Sequence, residues 1–170
     1  DGLRMPVDIS FVYNSSFDTF WEMYFDLFGA DGEDGIDFPY GKNWTPALFM
    51  GVISIMDKQQ QFFTQEGTIV TFNEKTETNE NEITEIVFEE DETSDSGYTL
   101  ELINQEDGVT TENMKITSPN GEEMYLNDSG LVSEIREAEP NADGTYDKIS
   151  IFYDDELGIY IDYVTDGIGR

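Results

Sequence analysis

The sequence predicts an α+β fold, an antiparallel β-meander of about seven or eight strands packed against one or two N-terminal helices. Two observations carry that expectation. Phe17, Phe20, Trp21, Tyr24, Phe25 and Phe28 recur at helical intervals, with Asp18, Thr19, Glu22 and Asp26 on the other side, which describes one aromatic helix face. From Thr68 onward the texture changes to short β-branched or aromatic runs separated by turn dipeptides. Rings so concentrated would leave a large apolar patch in water, so the helix is expected to lie on the sheet.

In chain order, residues 6–13 alternate as a first strand, with Val7, Ile9 and Phe11 on one side. Ser15 or Ser16 is a good N-cap for the aromatic helix, Asp18 falls in its first turn, and Gly29 ends it. Thr45 before Pro46 is an N-cap followed by proline at the first helical position, so a second helix is expected there. Leu48, Val52, Ile55, Gln59 and Phe62 or Phe63 step at helical intervals, whereas Gly51 and the β-branched Val52, Ile53 and Ile55 keep a strand over 48–55 as the alternative. Gly67 closes this segment.

Eight strands are then expected at residues 68–73, 83–89, 98–103, 113–117, 123–126, 131–137, 148–153 and 158–164. Between them Asp107-Gly108, Asn120-Gly121, Asp128-Ser129-Gly130, Asp143-Gly144 and Leu157-Gly158 mark hairpin turns. Tyr98, Leu100 and Leu102 alternate with Thr99 and Glu101, giving one face to a core and one to water. The chain is read as a single domain over 1–170, with a mainly helical half at 1–67 and an antiparallel β half at 68–170.

Two stretches of the second half look alike. Met124 to Val132 and Ile151 to Tyr160 each combine an apolar triplet, an acidic turn with glycine and a return strand. This loosely resembles the hairpin units of tyrosine-aspartate repeat proteins from bacterial surfaces. The likeness covers about one hairpin twice and departs in turn length, so no family is assigned; what it implies is an exported bacterial protein.

Composition narrows the function. The 38 acidic and 8 basic residues give a formal charge of −30, which repels nucleic acids and anionic lipid surfaces. Residues 66–170 hold 28 of those acids. Cysteine and histidine are absent, which removes disulfides, thiolate metal sites, Cys and Ser-His nucleophiles and the commonest general base. No G-x-S-x-G, phosphate-cradling loop or Ser-x-x-Lys is present, and no run reaches membrane-spanning length. The chain opens at Asp1 rather than methionine, read here as a mature or trimmed chain, which fits an exported protein or lipoprotein with its leader removed.

Tyr40 and Trp44, in a loop with Pro39 and Gly41, are the candidate ligand-binding residues, because a loop aromatic has less packing reason to exist. Asp31, Glu33, Asp34 and Asp37 place hard oxygen ligands close together, which suits weak Ca²⁺ binding and which a calorimetric titration would test. The EF-hand pattern fails there, since aligning Gly35 with its invariant glycine puts Ala30 and Gly32 where carboxylates belong. No other cofactor and no catalytic residue is expected.

The resulting expectation is a non-catalytic, extracytoplasmic binding or interaction module: secreted, periplasmic or lipid-anchored at the cell surface, monomeric, with a protein, small-molecule or glycan ligand. The alternatives are an acidic inhibitor of a basic protein, acting as a nucleic-acid mimic, and a carboxylate-dependent hydrolase.

Overall fold

A computed structural model describes residues 10–13, 44–56, 58–78, 84–103, 114–154 and 160–167. Among these residues the fold is all-β: twelve strands in three antiparallel sheets, and no helix. A two-stranded sheet pairs β1 (Phe11–Tyr13) with β2 (Trp44–Pro46). A four-stranded meander follows, with β3 (Gly51–Met56), β4 (Gln59–Phe63), β5 (Ile69–Thr78) and β6 (Thr84–Glu90) in sequence order. A six-stranded meander completes it: β7 (Thr99–Leu102), β8 (Met114–Thr117), β9 (Glu123–Leu126), β10 (Val132–Arg136), β11 (Lys148–Tyr153) and β12 (Ile161–Asp166).

The α+β expectation is thereby corrected. The helix expected from Thr45-Pro46 is absent: Thr45 and Pro46 belong to β2, and the next residues form β3 and β4. The reason lies in burial. Leu48, Met50 and Val52 enter the main core, while Phe49 and Ile53 enter a second cluster with Phe63 and Leu131 on the opposite side. A strand covered on both faces reads as an unbroken apolar run, whose periodicity does not separate it from a buried helix. The aromatic stretch from Phe17 to Phe28 lies outside the described residues.

The hub of the described fold is sheet against sheet. Phe62, Val70 and Phe72 from the four-stranded sheet meet Leu100, Ile116, Met124, Val132, Ile135 and Ile149 from the six-stranded one in a single core. β5 to β12 fall on the eight expected runs, but the single meander expected from them is corrected too: β5 and β6 pair with β3 and β4, and only β7 to β12 form the second sheet.

Four of its turns are built alike: Thr64–Thr68, Ser118–Glu122, Asn127–Leu131 and Asn141–Thr145. In each, the first N–H donates to the fifth carbonyl and the fourth N–H donates back to the first carbonyl. The fourth residue is glycine with φ between +76° and +86°. This is the three-residue hairpin loop that ends in a left-handed residue, a conformation glycine adopts without Cβ strain.

The two large sheets are stitched where β3 passes the β9–β10 turn. Val52 N–H donates to the Gly130 carbonyl at 2.7 Å, Val132 N–H donates to Met50 at 2.8 Å, and Gly51 bridges Leu131. The backbones approach too closely for a side chain: a Cβ on Gly130 would stand 2.5 Å from the Val52 carbonyl oxygen, and one on Gly51 would stand 2.8 Å from the Gly130 oxygen. The Tyr153 hydroxyl donates to the Val132 carbonyl at 2.7 Å, with its ring edge-on to Phe49, so β11 is tied to the same point.

At the other margin the segment from Asp91 to Tyr98 carries the chain between sheets, folded around two carboxylates. Glu90 accepts the N–H of Ser96 and Gly97 and the hydroxyl of Ser94, and Asp91 accepts Thr93 N–H, the Thr93 hydroxyl and Asn73 Nδ2. Burial works against the Glu90 charge, but these donors outweigh it and hold the carboxyl below its ordinary pKa.

Gly130 and Gly144 share the same turn and the same sign of φ, but a Cβ on Gly144 meets nothing within 4 Å. Gly144→Ala is therefore expected to cost about 1 kcal/mol, the left-handed penalty alone, and Gly130→Ala at least about 2 kcal/mol. Denaturant melts of both variants check this; equal losses would place the close approach elsewhere.

Candidate functional site

One end of the two-sheet core opens as a bowl of about 720 Å³. That falls within the range of about 300–1,000 Å³ usual for small-molecule sites. Leu48, Met50, Val70, Met124, Ile135 and Ile149 form the floor. These side chains are at most 7% exposed, so the floor is nearly closed and most of the space lies at the level of the turns.

The wall comes from segments far apart in sequence. The β4–β5 turn supplies Thr64 to Glu66 and Thr68, and the β8–β9 turn supplies Ser118, Pro119, Asn120 and Glu122. The linking segment supplies Ser96 and Tyr98, and the end of β10 supplies Glu137. Hydroxyls hold both turns in shape, with Thr64 Oγ1 accepting Thr68 N–H and Ser118 Oγ accepting Glu122 N–H, each at 3.1 Å. Tyr98 is wedged between the sheets, its ring edge-on to Phe62 at 5.3 Å. Burial pushes the Tyr98 hydroxyl's pKa up, and the nearby carboxylates Glu66 and Glu122 push it further.

The opposite end of β9 carries a smaller recess of about 400 Å³, lined by Ser54, Gln60, Met114, Asn127, Asp128 and their neighbours. It sits beside the Gly130 stitch and has a more limited apolar base.

The outer face of the six-stranded sheet is a charged ladder. Lys115 reaches Glu101 at 3.0 Å and Glu123 at 2.8 Å; Arg136 lies over the Tyr125 ring at 4.2 Å and pairs with Glu134, which also holds Lys148 at 2.6 Å. Register places these groups on adjoining rows, because Glu101 faces Lys115, Lys115 faces Tyr125, Tyr125 faces Glu134, and Arg136 faces both Glu123 and Lys148. The Lys115 ammonium, then Tyr125, keep the Glu123 carboxyl below its ordinary pKa; for Glu134, burial is outweighed by Lys148 and Arg136. Opposite charges so alternate along this face.

Of the residues singled out in the sequence, Trp44 is described and stands in β2, 45% exposed, with its ring edge-on to Tyr13 at 5.4 Å. It does not line the bowl. Tyr40 and the loop carboxylates Asp31, Glu33, Asp34 and Asp37 lie outside the described residues. Among the described residues no three Asp or Glu side chains gather as a metal site would require. No helix among them is long and apolar enough to cross a membrane. The bowl was missed in the sequence because its wall joins turns separated by more than fifty residues. The available signal was local: a hydroxyl residue followed three places later by glycine at both Thr64 and Ser118.

No family model matches the chain, and no curated protein or solved structure matches it significantly.

The placement of Tyr98 can be tested by its ionisation. Absorbance titration of the parent against Tyr98→Phe is expected to show this phenolate forming above the ordinary tyrosine value of about 10. Since the folded pKa is raised, the stability linked to it is full below that value and lost as pH rises through the folded pKa. Ionisation at or below the ordinary value would put Tyr98 in open solvent.

Proposed function

We propose that the protein is a non-catalytic binding module that receives a small molecule with an apolar body in the bowl between its two large sheets. The supporting observation is the combination of an apolar, nearly closed floor with a polar wall held rigidly by two capped turns and the Glu90-centred segment. Such a floor offers burial without requiring a buried polar partner, and the wall's hydroxyls, amide and carboxylates give orientation. An extracytoplasmic setting remains part of the proposal, supported by the hairpin likeness and the acidic composition.

The inhibitor reading calls for a strip of evenly spaced carboxylates. On the outer face of the six-stranded sheet Lys115, Arg136 and Lys148 interrupt such a strip, so that face gives it no support. A hydrolase needs one carboxyl held protonated near neutral pH, whereas Glu90, Asp91, Glu123, Glu134 and Asp143 are all shifted toward the charged form.

Equilibrium dialysis with naphthylmethanol, an uncharged fluorescent aromatic, tests the bowl. Saturable uptake of one molecule per chain is expected. Thr68→Trp, which puts a large ring in the wall at an exposed position, is expected to abolish uptake, and Thr99→Trp on the outer face is expected to leave it unchanged. Uptake that is absent in the parent, or unaffected by Thr68→Trp, would overturn the assignment.

A further inference from the structure

The sign of charge around the bowl selects among apolar ligands. Glu66, Glu122 and Glu137 line the wall, and no lysine or arginine does. None of these three carboxylates has an ion-pair partner among the described residues. The described cations are engaged elsewhere: Lys75 with Glu89, Lys115 with Glu101 and Glu123, and Arg136 and Lys148 with Glu134. Lys58 sits in the β3–β4 turn, outside the bowl lining. An anionic amphiphile would therefore bring its charge to carboxylates with no neutralising partner, while a cation would supply what they lack. Tyr98 adds an aromatic ring to the same wall, near Glu66 and Glu122, and cations favour the faces of such rings.

Resting on the bowl reading, we propose that the ligand is a small organic cation carrying an apolar group, a protonated amine or quaternary ammonium. Its charged end lies among Tyr98, Glu66 and Glu122, and its apolar group rests on the floor of Met124, Ile135 and Ile149. Recognition is by charge and ring at the wall and by burial beneath. Fatty carboxylates and other anionic amphiphiles are excluded by the same wall.

The test compares three matched probes, naphthylmethylammonium, naphthylmethanol and naphthylacetate, at roughly physiological salt, where distant surface charges are screened over about 8 Å. The ammonium is expected to bind about ten-fold tighter than the alcohol, and the acetate more weakly than either. Glu66→Gln with Glu122→Gln is expected to remove the ammonium's advantage over the alcohol, bringing the two affinities together. If the double variant does not fold, Glu66→Gln alone, at an exposed turn position, should remove part of that advantage. Glu77→Gln with Glu92→Gln, exposed acids away from the bowl, is the control and should change nothing.

The outcomes separate the two readings. No binding of the alcohol to the parent overturns the bowl, and this proposal with it. Alcohol binding with equal or tighter binding of the acetate overturns the cation alone. Loss of the ammonium's advantage in the control variant would assign it to net charge and not to the wall, which also overturns the proposal.

Discussion

The crossing of Gly51 and Gly130 sets the relation of the two large sheets, and with it the shape of everything between them. Each sheet is a meander that presents an apolar face to the other, and each needs the other's face as cover. The energetic weight lies in the fourteen buried side chains of the main core, each contributing about 1.5–3 kcal/mol if a large aliphatic or aromatic group. The two backbone hydrogen bonds at the crossing contribute only about 1 kcal/mol each. Their role is position: they set which residues of β3 oppose the start of β10, and so which side chains meet across the core. That arrangement exists only because two glycines let the backbones touch where any Cβ would force them apart.

From that constraint the bowl follows. Closing the sheets at the Asn127–Leu131 turn leaves the far end of β9, with its Ser118–Glu122 turn, facing the Thr64–Thr68 turn across an open space. Polar turns then stand over an apolar floor. The distribution of charge adds direction, because the described cations, apart from Lys58, are held in outer-face ladders. Individually, ion pairs at or near a protein surface stabilise little. Their consequence for function is that the wall of the bowl keeps its negative charge.

The sequence revealed the parts of the fold that depend on local chemistry. Turns such as Asn120-Gly121 and Asp143-Gly144 were legible because positive φ requires glycine, and strands such as Glu123–Leu126 because one wet face imposes alternation. Residues 47–56 read as helix or strand because burial on both sides erases alternation, and Thr45-Pro46 imitates a helix start while belonging to a strand. The site was hardly legible at all. Trp44, favoured as a loop aromatic, pairs with Tyr13 on the small sheet and stays clear of the bowl, while Tyr98 looked like one more inward strand residue. What makes Tyr98 matter is the company of Glu66 and Glu122, which sequence distance conceals.

Native-state hydrogen exchange at the amides of Val52 and Val132 tests the central claim most directly. Both donate across the crossing, to Gly130 and Met50, and if the crossing orders the two sheets as one unit they exchange only through global unfolding, as slowly as the amides of Phe62 and Val70 in the core. Rapid exchange at Val52 and Val132, with Phe62 and Val70 still protected, would show that the sheets hold together without this contact and would contradict the account.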